Sequence, residues 1–285
     1  MPVPAYLSTV VGPRSDSSMQ NKADKQPITI ARTEDGIARI VINRPEQRNA
    51  LSLEALECLG NAFAGLHAGG TLKCAILTGA GDRSFAAGGD LKEFAGYRSN
   101  EEAAHISRTG LRALDAVRQC PVPVYAAING HALGGGAELA MACDFRIAKT
   151  TASIGFLQGK LHITTAWGGS ADLLTLIGAN RGLELLLTSR VMNMAEAKEL
   201  GLIDQLVPEG MNLIETVLEH AAQFLSKPAH VIQAFTQIVR AAKVHLRAAI
   251  EPVEHRCFVS TWVDQAHWTA VEQSLSAVKA PRAKL

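Results

Sequence analysis

Aromatic side chains are scarce, at 5% of the 285 residues, and the formal net charge is only +1. The footprint of nucleic-acid binding, a strongly basic domain with interleaved aromatics, is therefore missing. So is the one-signed charge excess that would draw the chain to an anionic membrane surface. No apolar run approaches the ~20 residues that span a bilayer. The five cysteines, Cys58, Cys74, Cys120, Cys143 and Cys257, form no C-x-x-C pair and no Cys/His metal spacing, and their number is odd. They read as reduced thiols of a cytoplasmic protein, and no metal is expected. Neither G-x-x-x-x-G-K-[ST], H-E-x-x-H nor G-x-S-x-G occurs, and "GAGDRS" at 79–84 lacks the third glycine of a dinucleotide fingerprint. Residues 1–25 carry a short apolar patch with no basic stretch ahead of it. That favours a disordered tail over a secretory signal.

What is present is aliphatic and regularly punctuated. Hydrophobic residues make up 47% of the chain, enough for a sizeable core. "PITIARTEDGIARIVINRP" reads as two strands around the Asp35-Gly36 turn. In "LSLEALECLGNAFAGLHAGG", Leu53, Leu56, Leu59, Phe63 and Leu66 recur at helical spacing; Ser52 caps the start and Gly69-Gly70 ends it. "LKCAILTGAG", "PVPVYAAING" and "CDFRIA" read as buried strands, each followed by a glycine-bearing loop and a helical segment. Residues 171–200 look helical, "GLIDQLVP" extended, and from about 211 the pattern is helical with breaks at Pro228 and Pro252. Strands and helices thus alternate before an all-helical tail, which is an α/β class with a C-terminal helical subdomain. The expected divisions are a 1–25 tail, a 26–208 core and a 209–285 helical subdomain. No fixed-period repeat is evident.

The chemistry concentrates in "GHALGGGAELAMACDF", residues 130–145. A strand and an Asn129-Gly130 turn lead through Gly134, Gly135 and Gly136 into a helix. N–H groups at a helix start have no internal acceptor and lie at the positive end of the dipole. Glycine lets a ligand approach them closely. Glu138, three residues past Gly135, shares its helix face. A carboxylate beside an anion-stabilising N–H suits proton transfer next to an activated carbonyl. The plainer reading is a tight helix–loop packing site with a first-turn acid. A second stretch, "SFAAGGDLKEF" at 84–94, repeats the arrangement and offers another donor at Gly89. Two donors on one carbonyl oxygen form an oxyanion hole, each typically worth ~10² to 10³ in rate.

These motifs resemble the crotonase (enoyl-CoA hydratase/isomerase) superfamily. "NRPEQRNALS" is similar to its first coenzyme A segment, "SFAAGGDLKEF" to its F-x-A-G-x-D-[IL]-K-E segment, and "INGHALGGGAELAMACDFRIA" to its N-G-x-x-x-G-G-G-x-E-L segment; "AWGGS" and "AKELGLIDQLVP" match later landmarks. The resemblance implies a crotonase-like spiral of repeated ββα units, a helical trimerisation subdomain, and a homotrimer or dimer of trimers. It implies an acyl-CoA thioester substrate, with coenzyme A entering as part of that substrate and no separate cofactor. By position, Gly89 and Gly135 supply the oxyanion donors and Glu138 a catalytic acid/base. Ala87, Asp90, Leu91 and Lys92 would line the pantetheine and adenine region, and Arg48 and Ala50 would lie near the nucleotide end.

The sequence also departs from that pattern. Hydratases carry a second glutamate about twenty residues after the first, and here Gln158 falls at that place. An amide does not exchange a proton near neutral pH, although it can orient a water. His162 and His131 are the nearby titratable groups that could face the pocket, each with a plainer reading as a polar loop residue. Trp167 reads as core or pocket wall. The leading expectation is a hydratase-like enzyme that adds water reversibly to a 2-enoyl-CoA. The alternatives are a decarboxylase of a malonyl-type or 3-methylglutaconyl-type thioester, an enoyl-CoA isomerase, and a catalytically weak acyl-CoA-binding protein.

Overall fold

The computed structural model describes residues 26–67 and 70–279. The expected 1–25 tail lies outside the described residues. Strand β1 (Ile28–Arg32) and strand β2 (Ile37–Ile42) form the anticipated antiparallel hairpin, with Ile28 opposite Ile42. Gly36 turns it at φ 82°, where a Cβ would stand 2.2 Å from the Thr71 carbonyl oxygen. Helix α1 (Leu53–Ala64) begins at Ser52, whose hydroxyl accepts from the Ala55 N–H at 3.1 Å. It ends at Ala64, earlier than the Gly69-Gly70 pair expected to stop it, and residues 65–67 tighten into a 3-10 turn.

Three strand–strand–helix units follow. The first is β3 (Cys74–Gly79), β4 (Ser84–Ala86) and α2 (Leu91–Phe94), extended by α3 (Asn100–Arg118). The second is β5 (Val124–Ile128), β6 (His131–Leu133) and α4 (Gly135–Ala142). The third is β7 (Phe145–Lys149), β8 (Ser153–Gly155) and α5 (Gly169–Ile177). They begin at Cys74, Val124 and Phe145, so their lengths differ and no fixed period marks the sequence. The long strands build a six-stranded sheet ordered β1-β2-β3-β5-β7-β10, parallel beyond the first hairpin. The short strands build a second sheet ordered β4-β6-β8-β9. The chain thus steps repeatedly from one sheet to the other, which is the spiral the resemblance implied.

Residues 171–200, read as one helical stretch, contain α5, α6 (Ala179–Thr188), a two-residue strand β9 (Met192–Asn193) and α7 (Met194–Glu199). Gly178, at φ 81°, separates the first two. Strand β10 (Gln205–Val207) completes the large sheet. The helices α8 (Leu213–Leu225), α9 (Ala229–Trp262) and α10 (Gln265–Lys279) follow. Pro228 caps α9 as expected, but Pro252 lies inside α9 and does not end it. Its ring removes one N–H and crowds one carbonyl. The buried Glu254, Phe258 and Trp262 beyond it anchor the helix in the interior and carry it through.

Both faces of the large sheet are covered, as parallel strands require. Ala75 and Leu77 of β3 join Val124, Ala126 and Ile128 of β5 in the main core, beneath the helices that carry the site. Cys74, Ile76 and Tyr125 point the other way and pack against Val217, Leu218 and Ala221 of α8. Among the described residues, no helix is long and apolar enough to cross a membrane.

Candidate active site

Two glycine loops meet above the short sheet. Leu51 bridges Gly89: its N–H donates to the Gly88 carbonyl at 2.8 Å, and its carbonyl accepts from the Asp90 N–H at 3.1 Å. Backbone groups alternate along an extended chain, so the N–H of Gly89 faces away from Leu51. Gly135 is the first residue of α4, where an N–H has no acceptor inside the helix. Among the described residues neither amide donates to a protein acceptor. The loops touch: a Cβ on Gly88 would lie 3.4 Å from the Gly135 nitrogen, and one on Gly136 would lie 2.0 Å from the Ala86 carbonyl oxygen. Side chains at either place would force the loops apart.

Gly89 and Gly135 line one cavity of about 260 Å³ together with Glu138, Gln158 and Trp167. Most of its remaining wall is apolar, including Leu91, Phe94, Ile106, Leu161 and Ile163. Trp167 stands edge-on beside both glycines, because a Cβ on Gly135 would meet its Cζ3 at 2.0 Å and one on Gly89 its Cη2 at 3.7 Å. Gly110 of α3 leaves room for the other edge of the indole.

Glu138 is 2% exposed, so no bulk water solvates its charge. Its Oε2 accepts from the N–H groups of Trp167 at 3.0 Å and Gly169 at 3.1 Å. Its Oε1 accepts from Gln158 Nε2 at 2.8 Å. Burial pushes the Glu138 carboxyl up, to about 8; the charge of Glu254 adds to the rise, and the three hydrogen bonds oppose it. Gln158 has a buried Oε1 without a protein partner among the described residues. The amide is therefore fixed at one end by Glu138, while nothing among the described residues holds its carbonyl oxygen. The resemblance implies a second acid at this place; the structure puts the amide of Gln158 there in contact with Glu138.

The structure gathers some expected site residues and disperses others. Glu138, Gly89, Gly135, Gln158, Trp167, Ala87 and Leu91 share the cavity. Arg48 and Lys92 are exposed and do not line it. Asp90 caps α2 by accepting from the Lys92 and Glu93 N–H groups and pairs with Arg44 at 2.9 Å, which commits its carboxylate to holding the loop. The Ala50 carbonyl accepts from the same Arg44 guanidinium. The Ala87 N–H donates to the Arg48 carbonyl at 3.2 Å, tying the 43–52 segment to the glycine loop.

His131 does not face the cavity. Strand alternation buries Ala132 and turns His131 outward, where its Nδ1 lies 2.8 Å from Ser153 Oγ. His162 is exposed as well, at φ 55° after a 3-10 turn, with Nδ1 3.2 Å from the Ala266 carbonyl oxygen. Both expectations of a pocket histidine are corrected. Sequence reasoning missed the C-terminal wall: Phe258, Trp262 and Ser274 close the cavity from helices α9 and α10. It also missed Glu254, which no motif marks.

The family model for enoyl-CoA hydratase/isomerase matches residues 32–274. The chain belongs to the enoyl-CoA hydratase/isomerase family. It is 38% identical over 199 residues to a crotonyl-CoA hydratase of Syntrophomonas wolfei, covering 70% of this chain and 75% of that protein. It is 32% identical over 265 residues to the mitochondrial methylglutaconyl-CoA hydratase of Mus musculus, covering 90% and 83%. Its fold matches the crystal structure of an enoyl-CoA hydratase from Bacillus anthracis with a TM-score of 0.72 at 34% identity, over 91% of this chain and 99% of that one. Family membership makes the chain an enoyl-CoA hydratase-like enzyme for acyl-CoA thioesters. The apolar cavity with two free amides and one buried acid is the feature of this chain that suits such a substrate.

Proposed function

We propose that this enzyme adds water reversibly across the double bond of a 2-enoyl-CoA, with Glu138 as its single acid/base. The thioester oxygen accepts from the N–H groups of Gly89 and Gly135. Ionised Glu138 takes a proton from a water as the water's oxygen bonds to Cβ. The π electrons move onto the thioester, and the two amides hold the resulting enolate oxygen. Glu138 then returns its proton to Cα, the carbonyl re-forms and the carboxylate is regenerated. One acid serving both carbons delivers hydroxyl and hydrogen to the same face. Gln158 holds Glu138 at Oε1, and on this reading its unpartnered Oε1 accepts the second hydrogen of the water.

The observation that carries this reading is one buried carboxylate sharing a cavity with two unpaired main-chain amides. Crotonyl-CoA and branched 2-enoyl-CoA thioesters, followed by loss of the enoyl ultraviolet band, test it. Hydration that disappears in Glu138→Gln supports it. Carbon dioxide release from malonyl-type thioesters without hydration of any enoyl thioester refutes it.

We infer further that the chain assembles as a homotrimer or dimer of trimers. Phe235 and Ile238, on adjacent turns of α9, are 63% and 65% exposed, an apolar stripe suited to a second copy. Sedimentation that shows only monomer at micromolar concentration would remove this.

A further inference from the structure

Glu254 is a second buried carboxylate, 6% exposed, on α9 more than a hundred residues beyond the glycine loops. It meets the same turn of chain as Glu138. The N–H groups of residues 167 to 170 go alternately to the two acids: Trp167 and Gly169 donate to Glu138, at 3.0 and 3.1 Å, while Gly168 and Ser170 donate to Glu254, at 2.7 and 3.1 Å. The Thr165 hydroxyl also donates to Glu254. These amides open helix α5, so both carboxylates draw on the positive end of one dipole from opposite sides. A single peptide unit separates each amide held by Glu138 from one held by Glu254. Movement of Glu254 therefore tilts the donors that aim Glu138.

We propose that Glu254 is a positioning residue for Glu138, holding the shared turn so that the acid presents a fixed oxygen to the cavity and tying the C-terminal helix to the chemistry. This rests on the reading of Glu138 as the acid/base. Other charged groups surround the turn. From α3, Arg118 donates to the Trp167 carbonyl at 2.7 Å and pairs with Asp115 and Asp172, each at 2.8 Å. On α9, Glu251 and Arg247 flank Glu254. His255 meets Ser107 Oγ at 2.8 Å, and that hydroxyl donates to the Ala166 carbonyl. Of these groups, Glu254 is the charge that acts on Glu138.

The test compares three variants of the full chain. Glu254→Gln removes the charge and is expected to move the acidic limb of kcat/KM down by about one pH unit. It also lowers the high-pH plateau about tenfold or more through kcat, with KM held within about threefold. Glu254→Asp keeps the charge and restores the limb to its original pH, while kcat stays reduced because the carboxylate is withdrawn by one methylene. A purely structural residue would alter stability and turnover without moving the limb. An unmoved limb in folded Glu254→Gln overturns the inference. If that variant does not fold, Glu254→Asp decides alone, and unchanged kcat overturns the positioning role. Full turnover in Glu138→Gln would instead remove the reading of Glu138, whatever Glu254 does.

Discussion

Replacing Glu138 by glutamine separates what this carboxyl does for turnover from what it costs the fold. Both main-chain donors, Trp167 and Gly169, converge on a single oxygen, Oε2. An amide keeps one oxygen, so that pair of hydrogen bonds survives. The new NH₂ then faces Gln158, whose Oε1 is buried and unpartnered. Turning the Gln158 amide over presents that oxygen to the new donor, so the hydrogen bond between the two side chains is kept. The variant should therefore fold, and turnover should fall by about 10² to 10⁴, the range for losing a general acid/base. Stability should move the other way. The folded carboxyl is raised from 4.5 to about 8. A raised acid carries no penalty below its unfolded pKa, because both states are then protonated. As pH climbs toward 8 the unfolded chain ionises while the folded one resists, so stability is lost across that window. At 1.36 kcal/mol per unit the loss amounts to at most about 5 kcal/mol, and Glu138→Gln relieves it. Thermal unfolding of both proteins from pH 4 to 9 should give coincident melting points at the acid end and a more stable variant at the alkaline end. A stability gap that does not change with pH refutes the electrostatic reasoning, and unchanged turnover refutes the catalytic role.

Further outcomes follow from the same geometry. Because Glu138 must be ionised to accept a proton, wild-type kcat/KM for hydration should rise with pH about tenfold per unit below its apparent pKa near 8, measured in buffers of constant ionic strength. Gln158→Glu places a second carboxyl against Glu138, where 2.8 Å now separates amide and acid; the pair will share a proton, and crotonyl-CoA hydration should increase. Flat hydration in the folded variant would show that residue 158 is not the place of the missing acid. Gly135→Ala puts a methyl carbon 2.0 Å from Trp167 Cζ3, so the indole must shift out of the donor site; turnover should drop by about 10² or more. Arg118→Ala leaves Asp172 buried without its partner at 2.8 Å, which should cost about 3–5 kcal/mol in denaturant unfolding. Adding Asp172→Asn should recover part of that loss.

The parts of the site visible in the sequence are those that need local backbone. Gly134–Gly136 and Gly88–Gly89 had to be glycine because the loops touch and φ is 98° at Gly88 and 53° at Gly134, and such a demand leaves a mark within a few residues. Long strands and Ser52 at a helix start are equally local. The three-residue strands of the second sheet are too short to show a period, and Pro252 misled because tertiary anchoring overrode a local breaker. The histidines misled in the opposite way: closeness to a motif along the chain said nothing about the face on which His131 would emerge. Glu254 left no local signal, since what makes it matter is the alternation of four amides contributed by another segment. On the proposed reading, that alternation is what lets Glu138 serve alone where the resemblance implies two acids. A lone buried carboxylate with an elevated pKa is poised between base and acid, but only if its direction is held while its charge changes. Gln158 holds one oxygen, and the turn shared with Glu254 holds the other. On that reading, the second buried acid that bears on Glu138 is Glu254, which takes the neighbouring amides of the turn and acts through that shared backbone instead of from the cavity wall.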